Sequence, residues 1–547
     1  MKAKSILIII CSALLSACDL SEKFYSSVTP DTFITRPENT YAILSRPFTH
    51  WKWYIGADRW YLQELTSDEM TCPTRGSDFY NNGEYIRLQE HTWAPTDRFI
   101  TNTYNGTVGG IARALEAYED LSAVNYTAIG MNEQAKQDQL NQLNAIIAYF
   151  YMRGLDYFGG MPIYRSVNDG VVGRSTAKQT FEYIEQLLQN AIPHLTKRTS
   201  LNQSQDGYIK QGAAAAMLAQ LYFNAKSYIG EEHFEACAKI CKDLLAGTYG
   251  TYALDNTWYG PHGFDNDKSP EAIWNVPSEN SKVEWNWYYR YFYHGNSRVY
   301  FNVSFPASCF NGFCLTPSRE NAHSGVYTRW KLGNTYEKFN DADLRKQPYV
   351  YLGGKRYRGM FCVGDQTNPQ TGQHVVGVTD KSGQPLTFHD YINVKGTHSD
   401  MLAGSEDSGI RLVKAPIPNQ TDINLLWNPD CPVIRLTEIY YMLAECYWRT
   451  GKKAEAAQLI NTVRKRNFNH NIDPNPVPDD FDVYRLADEW MTEFLGEGRR
   501  RTDLIRLGLW STEDWWAHTA SDATKNLFPL PAEAFVANKK LKQNPGY

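Results

Sequence analysis

Apolar residues recur at spacings of three and four in two separate parts of the chain, a pattern typical of amphipathic helices. In the first part, one apolar face runs over residues 140–158, and Gly159-Gly160 follow where the pattern stops. Glycine pairs commonly end helices because they leave the helical backbone easily. Further helical patterns follow at 180–195, 210–224 and 234–245. The sequence therefore predicts a helical block before residue 250.

A second helical block begins near Val433, and a glycine at position 451 divides its apolar stripe. Residues 444–466 resemble a tetratricopeptide helix pair, in which small residues let two antiparallel helices approach and a glycine makes the turn. Residues 216–245 are similar to a looser second copy. We therefore predict a mostly α fold with a tetratricopeptide-like helical-repeat scaffold over about 37–249 and 431–547.

The helical periodicity disappears between about residues 250 and 430. This stretch is dense in Gly, Pro, Asn, Asp, Trp and Tyr. Disordered segments are poor in aromatic residues, so its composition favours an ordered structure. Long irregular segments in ordered proteins commonly carry function. We therefore predict a large loop-rich inserted subdomain over about 250–430 that binds the ligand.

The N-terminus has the features of an export signal. Lys2 and Lys4 precede a short apolar run that ends in Leu15-Ser16-Ala17-Cys18. The run is shorter than the roughly 20 residues needed to cross a bilayer. Its end resembles a bacterial lipobox, in which the cysteine receives the lipid. The sequence thus predicts a signal peptide over residues 1–17 and a lipid anchor at Cys18.

Composition narrows the class of ligand. The formal net charge is −5, and the chain contains 36 Tyr and 15 Trp. A mildly acidic chain without a basic block is not typical of a nucleic-acid-binding protein. Many Tyr and Trp residues suit both a packed core and a surface that stacks on ligands. The pairing of Cys309 and Cys314 in a disulfide stays open at this point, whereas Cys237 and Cys241 are predicted to be packed thiols.

The common signatures of catalysis are absent from the sequence. HExxH, GxSxG, Walker and GxGxxG patterns do not occur. A glycosidase needs two carboxylates about 5–9.5 Å apart, whereas neighbours such as Asp68 and Glu69 usually point in different directions. Asp265-Asn266-Asp267 supplies oxygens without the rest of an EF-hand loop. We predict no enzyme activity and no cofactor or metal, and leave a bound calcium open.

Two segments combine aromatic rings with polar groups, as sugar binding requires. The first contains Arg75, Asp78, Tyr80 and Trp93, and the second contains Trp285, Trp287 and Tyr289. Alternation in the second segment predicts an extended strand with its aromatic residues on one face. Core packing is the competing interpretation for each ring taken singly. For the set as a whole, we predict that at least one ring stacks on a ligand where the two segments meet.

Three motifs connect the chain to a known family. They are LFPLPAEAFVANKKLKQNPGY at 527–547, LNAIIAYFYMRGLDYFGGMPIY at 143–164 and EFLGEGRRRTDLIRLG at 493–508. Their type and order resemble the SusD/RagB family, the surface glycan-capture lipoproteins of Bacteroidetes. Arg501-Thr502 stand where that family commonly has an aromatic pair. Residues 66–97 are similar to a family subset in which the region borders the glycan face, which adds Asp68 to the predicted binding residues.

The resemblance implies more than the residue patterns do. It implies a single SusD-like unit over residues 18–547, lipid-anchored in the outer membrane and facing the cell exterior. Such a protein captures oligosaccharide or polysaccharide and delivers it to a SusC-like TonB-dependent receptor. Two alternatives stay open: capture of peptides or glycopeptides, as in the RagB branch, and a cryptic glycosidase.

Overall fold

The computed structural model describes residues 33–56, 58–282, 288–319, 330–395 and 398–547. Cys18 and the signal peptide lie outside this part of the chain. Within it, no helix is both long and apolar enough to cross a membrane.

The first helical block confirms the predicted amphipathic patterns. Its longest helices pack side by side, and Gly110 lies directly against the ring of Phe150. The patterned segment at 140–158 belongs to a helix that ends at Phe158, with Gly159 in a positive-φ conformation after it. The helices of this block are α1 (Pro37–Tyr54), α2 (Asp58–Glu64), α3 (Glu84–Glu90), α4 (Arg98–Ser122), α5 (Glu133–Phe158), α6 (Ala177–Ala191), α7 (Gln211–Phe223), α8 (Ala225–Ile229) and α9 (Phe234–Leu245).

The two tetratricopeptide-like pairs are also present. The C-terminal pair packs about Gly451, whose φ of 82° suits a glycine at the turn. The earlier pair consists of α7 and α9, and α9 packs in turn against the first helix of the C-terminal pair. The helices near the C-terminus are α12 (Leu436–Arg449), α13 (Lys453–Arg464), α14 (Val483–Phe494), α15 (Arg500–Leu507) and α16 (Ala534–Ala537).

The described residues between 250 and 430 include the short α-helices α10 (Tyr288–Phe292) and α11 (Ser297–Phe301), together with 3-10 turns, loops and two-stranded antiparallel sheets. The predicted extended strand is wrong over Tyr288–Phe292, where the backbone is helical. The strands of the structure are β1 (Met70–Thr71), β2 (Ala272–Val276), β3 (Cys314–Leu315), β4 (Val350–Gly353), β5 (Arg356–Arg358), β6 (Phe361–Cys362), β7 (Gly364–Asp365), β8 (Thr387–Phe388), β9 (Val394–Lys395), β10 (His398–Ser399), β11 (Arg411–Leu412) and β12 (Cys431–Arg435).

A buried cluster of charges joins this middle region to the C-terminal helices. Glu493 on α14 contacts Arg345, Arg435 and Arg466, with N–O distances of 3.1, 2.8 and 3.0 Å. Arg435 and Arg466 also contact the buried Glu271. Burial alone would raise the pKa of Glu493, but the three guanidinium groups lower it to about 2. Each partner is satisfied by the others, so loss of any one would leave an uncompensated buried charge.

The cysteines of the described residues are free thiols, including Cys309 and Cys314. Cys237 and Cys241 are buried with their sulfur atoms 3.9 Å apart, which is the packed arrangement predicted for them. The structure therefore contains no Cys309–Cys314 disulfide.

Candidate functional site

A strained turn follows the short strand β1. Phe79 has a φ of 62°, a left-handed conformation that is uncommon for a bulky residue. Its ring packs directly on Gly312. A β-carbon at position 312 would lie only 2.6 Å from the ring of Phe79. The same ring lies edge-on to Tyr85 at 5.9 Å. Packing below the turn thus holds Phe79 in place and leaves the next residue, Tyr80, on the outside.

Arg75 lies beneath this turn. Its guanidinium group donates hydrogen bonds to the carbonyl oxygens of Ser405 and Ser408, the second at 3.0 Å. The side chain is buried, so it ties the turn to the loop at 404–408 and does not face solvent. This placement does not fit the predicted contact between Arg75 and a sugar.

The segment with Asp78 and Tyr80 meets the segment with Phe310 where the ring of Phe79 packs on Gly312. We group the four side chains Asp78, Tyr80, Arg290 and Phe310 at this junction under the name aromatic face. Asp78 is exposed, and Tyr80 and Phe310 are 50% and 39% exposed. The Arg290 guanidinium lies over the Phe310 ring at 4.7 Å. Its Nε–H is buried without a hydrogen-bond partner among the described residues. The face therefore offers two partly exposed aromatic rings and an exposed carboxylate, which are groups that bind sugar rings and hydroxyls.

The structure brings the two predicted aromatic segments together. Phe313 stacks on Tyr291 of the second segment at 5.1 Å and lies edge-on to Tyr85 of the first at 6.3 Å. Trp285 and Trp287 lie outside the described residues, and so does the side chain of Tyr289. Their roles in binding stay predictions, but the chain that carries them leads directly to Arg290.

Trp93 lies in the core, away from the aromatic face. Its side chain is 3% exposed, and its ring is 4.6 Å from Phe528. Its indole N–H donates to the hydroxyl of Tyr547, the last residue of the chain, at 2.7 Å. Of the two interpretations of this ring, the structure supports core packing, because a ligand cannot reach it.

Asp68 is also buried. It pairs with Arg500 at 2.7 Å and accepts the backbone N–H of Gly333 at 2.9 Å. Burial raises the pKa of Asp68, but the charge and hydrogen bonds of Arg500 outweigh it, so the net pKa is lowered. The predicted contact between Asp68 and a ligand does not fit this position. Since Glu69 is buried as well, the two carboxylates do not form an acid–base pair open to a substrate.

The ion pair between Arg87 and Asp97 also holds the turn that carries Asp78 and Tyr80. Arg87 donates to Asp97 at 3.0 Å and to the carbonyl oxygen of Asn82 at 2.6 Å. The hydrogen bond to Asp97 raises the pKa of Arg87. Arg87 thereby connects the turn to the start of α4 and keeps it in one conformation.

Sequence reasoning missed Arg290 and Phe310. Phe310 stands between Cys309 and Asn311 with no periodic pattern to mark it. Arg290 could have been selected from the sequence because it directly follows an aromatic run. Planar hydrogen-bond donors beside aromatic rings are suited to binding sugars.

The acidic run considered for calcium has other contacts. Asp265 pairs with Lys355 at 2.6 Å, and the Asn266 amide donates to the carbonyl oxygens of Pro261 and Asp430. Across the described ranges, His, Cys, Asp and Glu side chains do not gather in groups of three or more suited to a metal ion.

Comparison with known proteins identifies the class to which this fold belongs. Residues 270–547 match the SusD family. Starch-binding protein SusD of Bacteroides thetaiotaomicron is 35% identical over 445 residues, which cover 76% of this chain and 74% of that protein. The chain therefore belongs to the SusD family.

Solved structures share the fold at low sequence identity. Surface glycan-binding protein A from Bacteroides thetaiotaomicron superposes with a TM-score of 0.68 at 15% identity, over 94% of this chain and all of the other. The same-named protein from Bacteroides uniformis gives 0.66 at 16%, over 93% and 99%. A laminarin-binding SusD-like protein gives 0.66 at 18%, over 94% and 100%. The tetratricopeptide-like scaffold with an inserted region is thus confirmed as a SusD-like fold.

Proposed function

We propose that this protein is a non-catalytic, cell-surface lipoprotein that binds glycans and delivers them to a SusC-like TonB-dependent transporter. The observation that carries the proposal is the 35% identity to a starch-binding protein over about three quarters of both chains. One protein of similar structure is described as laminarin-binding, and laminarin is a glycan, which also supports a glycan ligand for this chain.

The aromatic face supports glycan binding on physical grounds. A sugar ring presents a flat C–H surface, which can stack on Tyr80 or Phe310. Its hydroxyl groups can donate to the exposed carboxylate of Asp78. Packing and hydrogen bonds beneath the turn fix these groups before the ligand arrives, which lowers the entropic cost of binding.

The test of ligand class is a titration of the purified protein with starch, laminarin and a panel of peptides. Isothermal titration calorimetry should give saturable binding to a glycan and no heat from the peptides. Binding to peptides alone would contradict the proposal and favour the RagB-like alternative. Release of shorter sugars from the bound glycan, followed by chromatography, would contradict the non-catalytic part.

Delivery to a transporter is the finer part of the proposal. Tetratricopeptide-like helix pairs expose extended surfaces that generally serve protein contacts. Affinity purification in mild detergent should recover a TonB-dependent receptor in near-equal amount. Repeated recovery of the lipoprotein alone, under conditions that preserve other such complexes, would contradict delivery while leaving glycan binding intact.

A further inference from the structure

A cavity of about 550 Å³ lies between the helical scaffold and the C-terminal tail. The end of α5, the start of α6, the helix α8 and residues 526–544 surround it. Its volume is in the range of small-molecule sites, about 300–1,000 Å³. None of the residues of the aromatic face lines it, so it is a separate feature of the molecule.

The walls of the cavity combine apolar surface with a neutralised acid. Leu155, Ile505, Leu527 and the ring of Tyr228 supply the apolar part. Asp156 is the acid that lines the cavity. It pairs with the buried Arg501 at 3.5 Å and accepts hydrogen bonds from the hydroxyl groups of Tyr228, at 3.0 Å, and of Thr502. The walls therefore do not present a free negative charge to a ligand.

The rim of the cavity carries positive charge. Lys540 and Lys542 line it and are exposed. The Lys540 ammonium group donates to the carbonyl oxygen of Val171, and neither lysine takes part in an ion pair within the described part of the chain. Arg174 uses its guanidinium group to hold the tail in place, through the carbonyl oxygen of Lys542 and the side chain of Asn544. The two lysines thus supply positive charge that is not paired with a carboxylate of the described residues.

One buried acceptor in the lining has no donor. Asn526 lines the cavity, and its side-chain oxygen is buried without a hydrogen-bond partner among the described residues. Buried polar atoms are nearly always hydrogen-bonded, so a ligand hydroxyl group or a water molecule in the cavity would supply the donor that this acceptor lacks. A hydroxyl group is a donor of the right size.

We propose that this cavity binds a sugar acid, a monosaccharide or disaccharide that carries a carboxylate. The carboxylate contacts Lys540 and Lys542, the C–H face of the ring packs on Tyr228 and Leu527, and a hydroxyl donates to Asn526. The positive charge of Lys540 and Lys542 favours a carboxylate, and the unpaired oxygen of Asn526 favours a neighbouring hydroxyl group. That the molecule with these two groups is a sugar rests on the proposed function.

The experiment is a titration of the full mature protein with D-galacturonate and digalacturonate, with galactose and propionate as comparison ligands. Wild-type protein should bind the two uronates and neither comparison ligand. Lys540→Ala combined with Lys542→Ala should weaken binding about tenfold or more, since hydrogen bonds to charged groups are the strong ones. Lys539→Ala is the matched control, because Lys539 is an exposed neighbour that does not line the cavity and should bind as wild type.

A second variant blocks the space instead of the charge. Ser227→Trp adds bulk at an exposed position of the lining and should abolish uronate binding with an unchanged melting temperature. Absence of uronate binding, or equal affinity in wild type and the double lysine variant, would overturn the proposal. Propionate binding as tight as that of galacturonate would overturn the sugar part. Tyr80→Ala should leave uronate affinity unchanged, so failure of the aromatic face and failure of the cavity are distinguishable.

Discussion

At the scale of single residues, Tyr80 and Trp93 show how similar side chains take opposite roles. Tyr80 is half exposed on a strained turn, whereas Trp93 is enclosed by Phe528, Trp510 and His91. Trp93→Ala should lower the free energy of unfolding by roughly 3–5 kcal/mol because it removes a buried ring. Thermal unfolding checks this, with Tyr80→Ala as the control that should keep the wild-type melting temperature. Equal melting temperatures for all three proteins would contradict the core role of Trp93.

Glu493 provides a prediction about acid stability. Its pKa in the folded protein is about 2, below its ordinary value of 4.5, because three arginines favour the ionised form over the effect of burial. A lowered carboxyl pKa adds stability that is complete above about pH 4.5 and is lost as the pH falls towards 2.

Glu493→Gln should therefore destabilise the protein at pH 7 by roughly 3–5 kcal/mol, since it leaves buried arginines without their partner. Because glutamine does not titrate, the variant should also lose less stability than the wild type as the pH falls from 4.5 to 2. Urea unfolding at several pH values measures both effects. The exposed Glu455→Gln is the control and should behave as wild type. An unchanged stability of Glu493→Gln at pH 7 would contradict the role given to the buried cluster.

Residue types predicted the region of the candidate site but not the direction of each side chain. Arg75, Asp68 and Trp93 have the chemistry of sugar-binding residues, yet each is buried against partners distant in sequence: Ser408, Arg500 and Tyr547. Burial of this kind is set by tertiary contacts that a local pattern does not encode. Asp78 and Tyr80 are the two described residues of the predicted set that reach the surface.

At the scale of elements, long helices were predictable and short strands were not. The segment predicted at 234–245 matches α9 (Phe234–Leu245), because several turns of helix repeat the same apolar spacing. Two-residue strands such as β1 and β3 hold no repeat at all, and their pairing depends on residues far apart in the chain. The alternating aromatic residues before Phe292 predict a strand, but residues Tyr288–Phe292 form a helix. A segment of five residues is too short to distinguish the two-residue repeat of a strand from the 3.6-residue repeat of a helix.

Close packing between α4 and α5 gives a prediction at this scale. A β-carbon on Gly110 would lie 2.4 Å from the ring of Phe150, which is itself buried. Gly110→Ala should therefore force the helices apart and cost about 1–3 kcal/mol of stability. Gly109→Ala is a matched control in the same helix, since its new methyl group would lie 3.0 Å from the end of the long Arg113 side chain and at an ordinary contact distance of 3.7 Å from His50. Chemical denaturation measures both, and equal stabilities would contradict tight packing of the scaffold.

At the scale of the whole molecule, the proposed location at the cell surface depends on the predicted lipid anchor at Cys18. One acyl chain gives weak membrane binding, whereas two or more give stable anchoring. Cys18→Ala should yield a soluble or unprocessed protein when cells are fractionated, and protease treatment of intact cells should degrade the wild type. Wild-type amounts of Cys18→Ala in the outer-membrane fraction would contradict the lipid anchor, and full protection from protease would contradict surface exposure.

The helical scaffold carries an irregular region that contributes Arg290 and Phe310 to the aromatic face. The family and the scaffold could be inferred from sequence, because tail motifs and helical periods are local signals. The aromatic face could not be inferred in this way, because the segment that carries Phe310 reaches the turn at 75–84 through tertiary contacts of Gly312, namely the packing of Phe79 on it and the hydrogen bond from Arg75 to its carbonyl oxygen.

The most direct test of the central claim is calorimetric titration of Tyr80→Ala/Phe310→Ala beside wild type, with the glycan that binds best among starch and laminarin. Both side chains are partly exposed, so the double variant should keep its melting temperature. Each lost stacking contact should cost on the order of 1–3 kcal/mol, and affinity should fall at least tenfold. Wild-type affinity in the folded double variant would contradict glycan binding at the aromatic face.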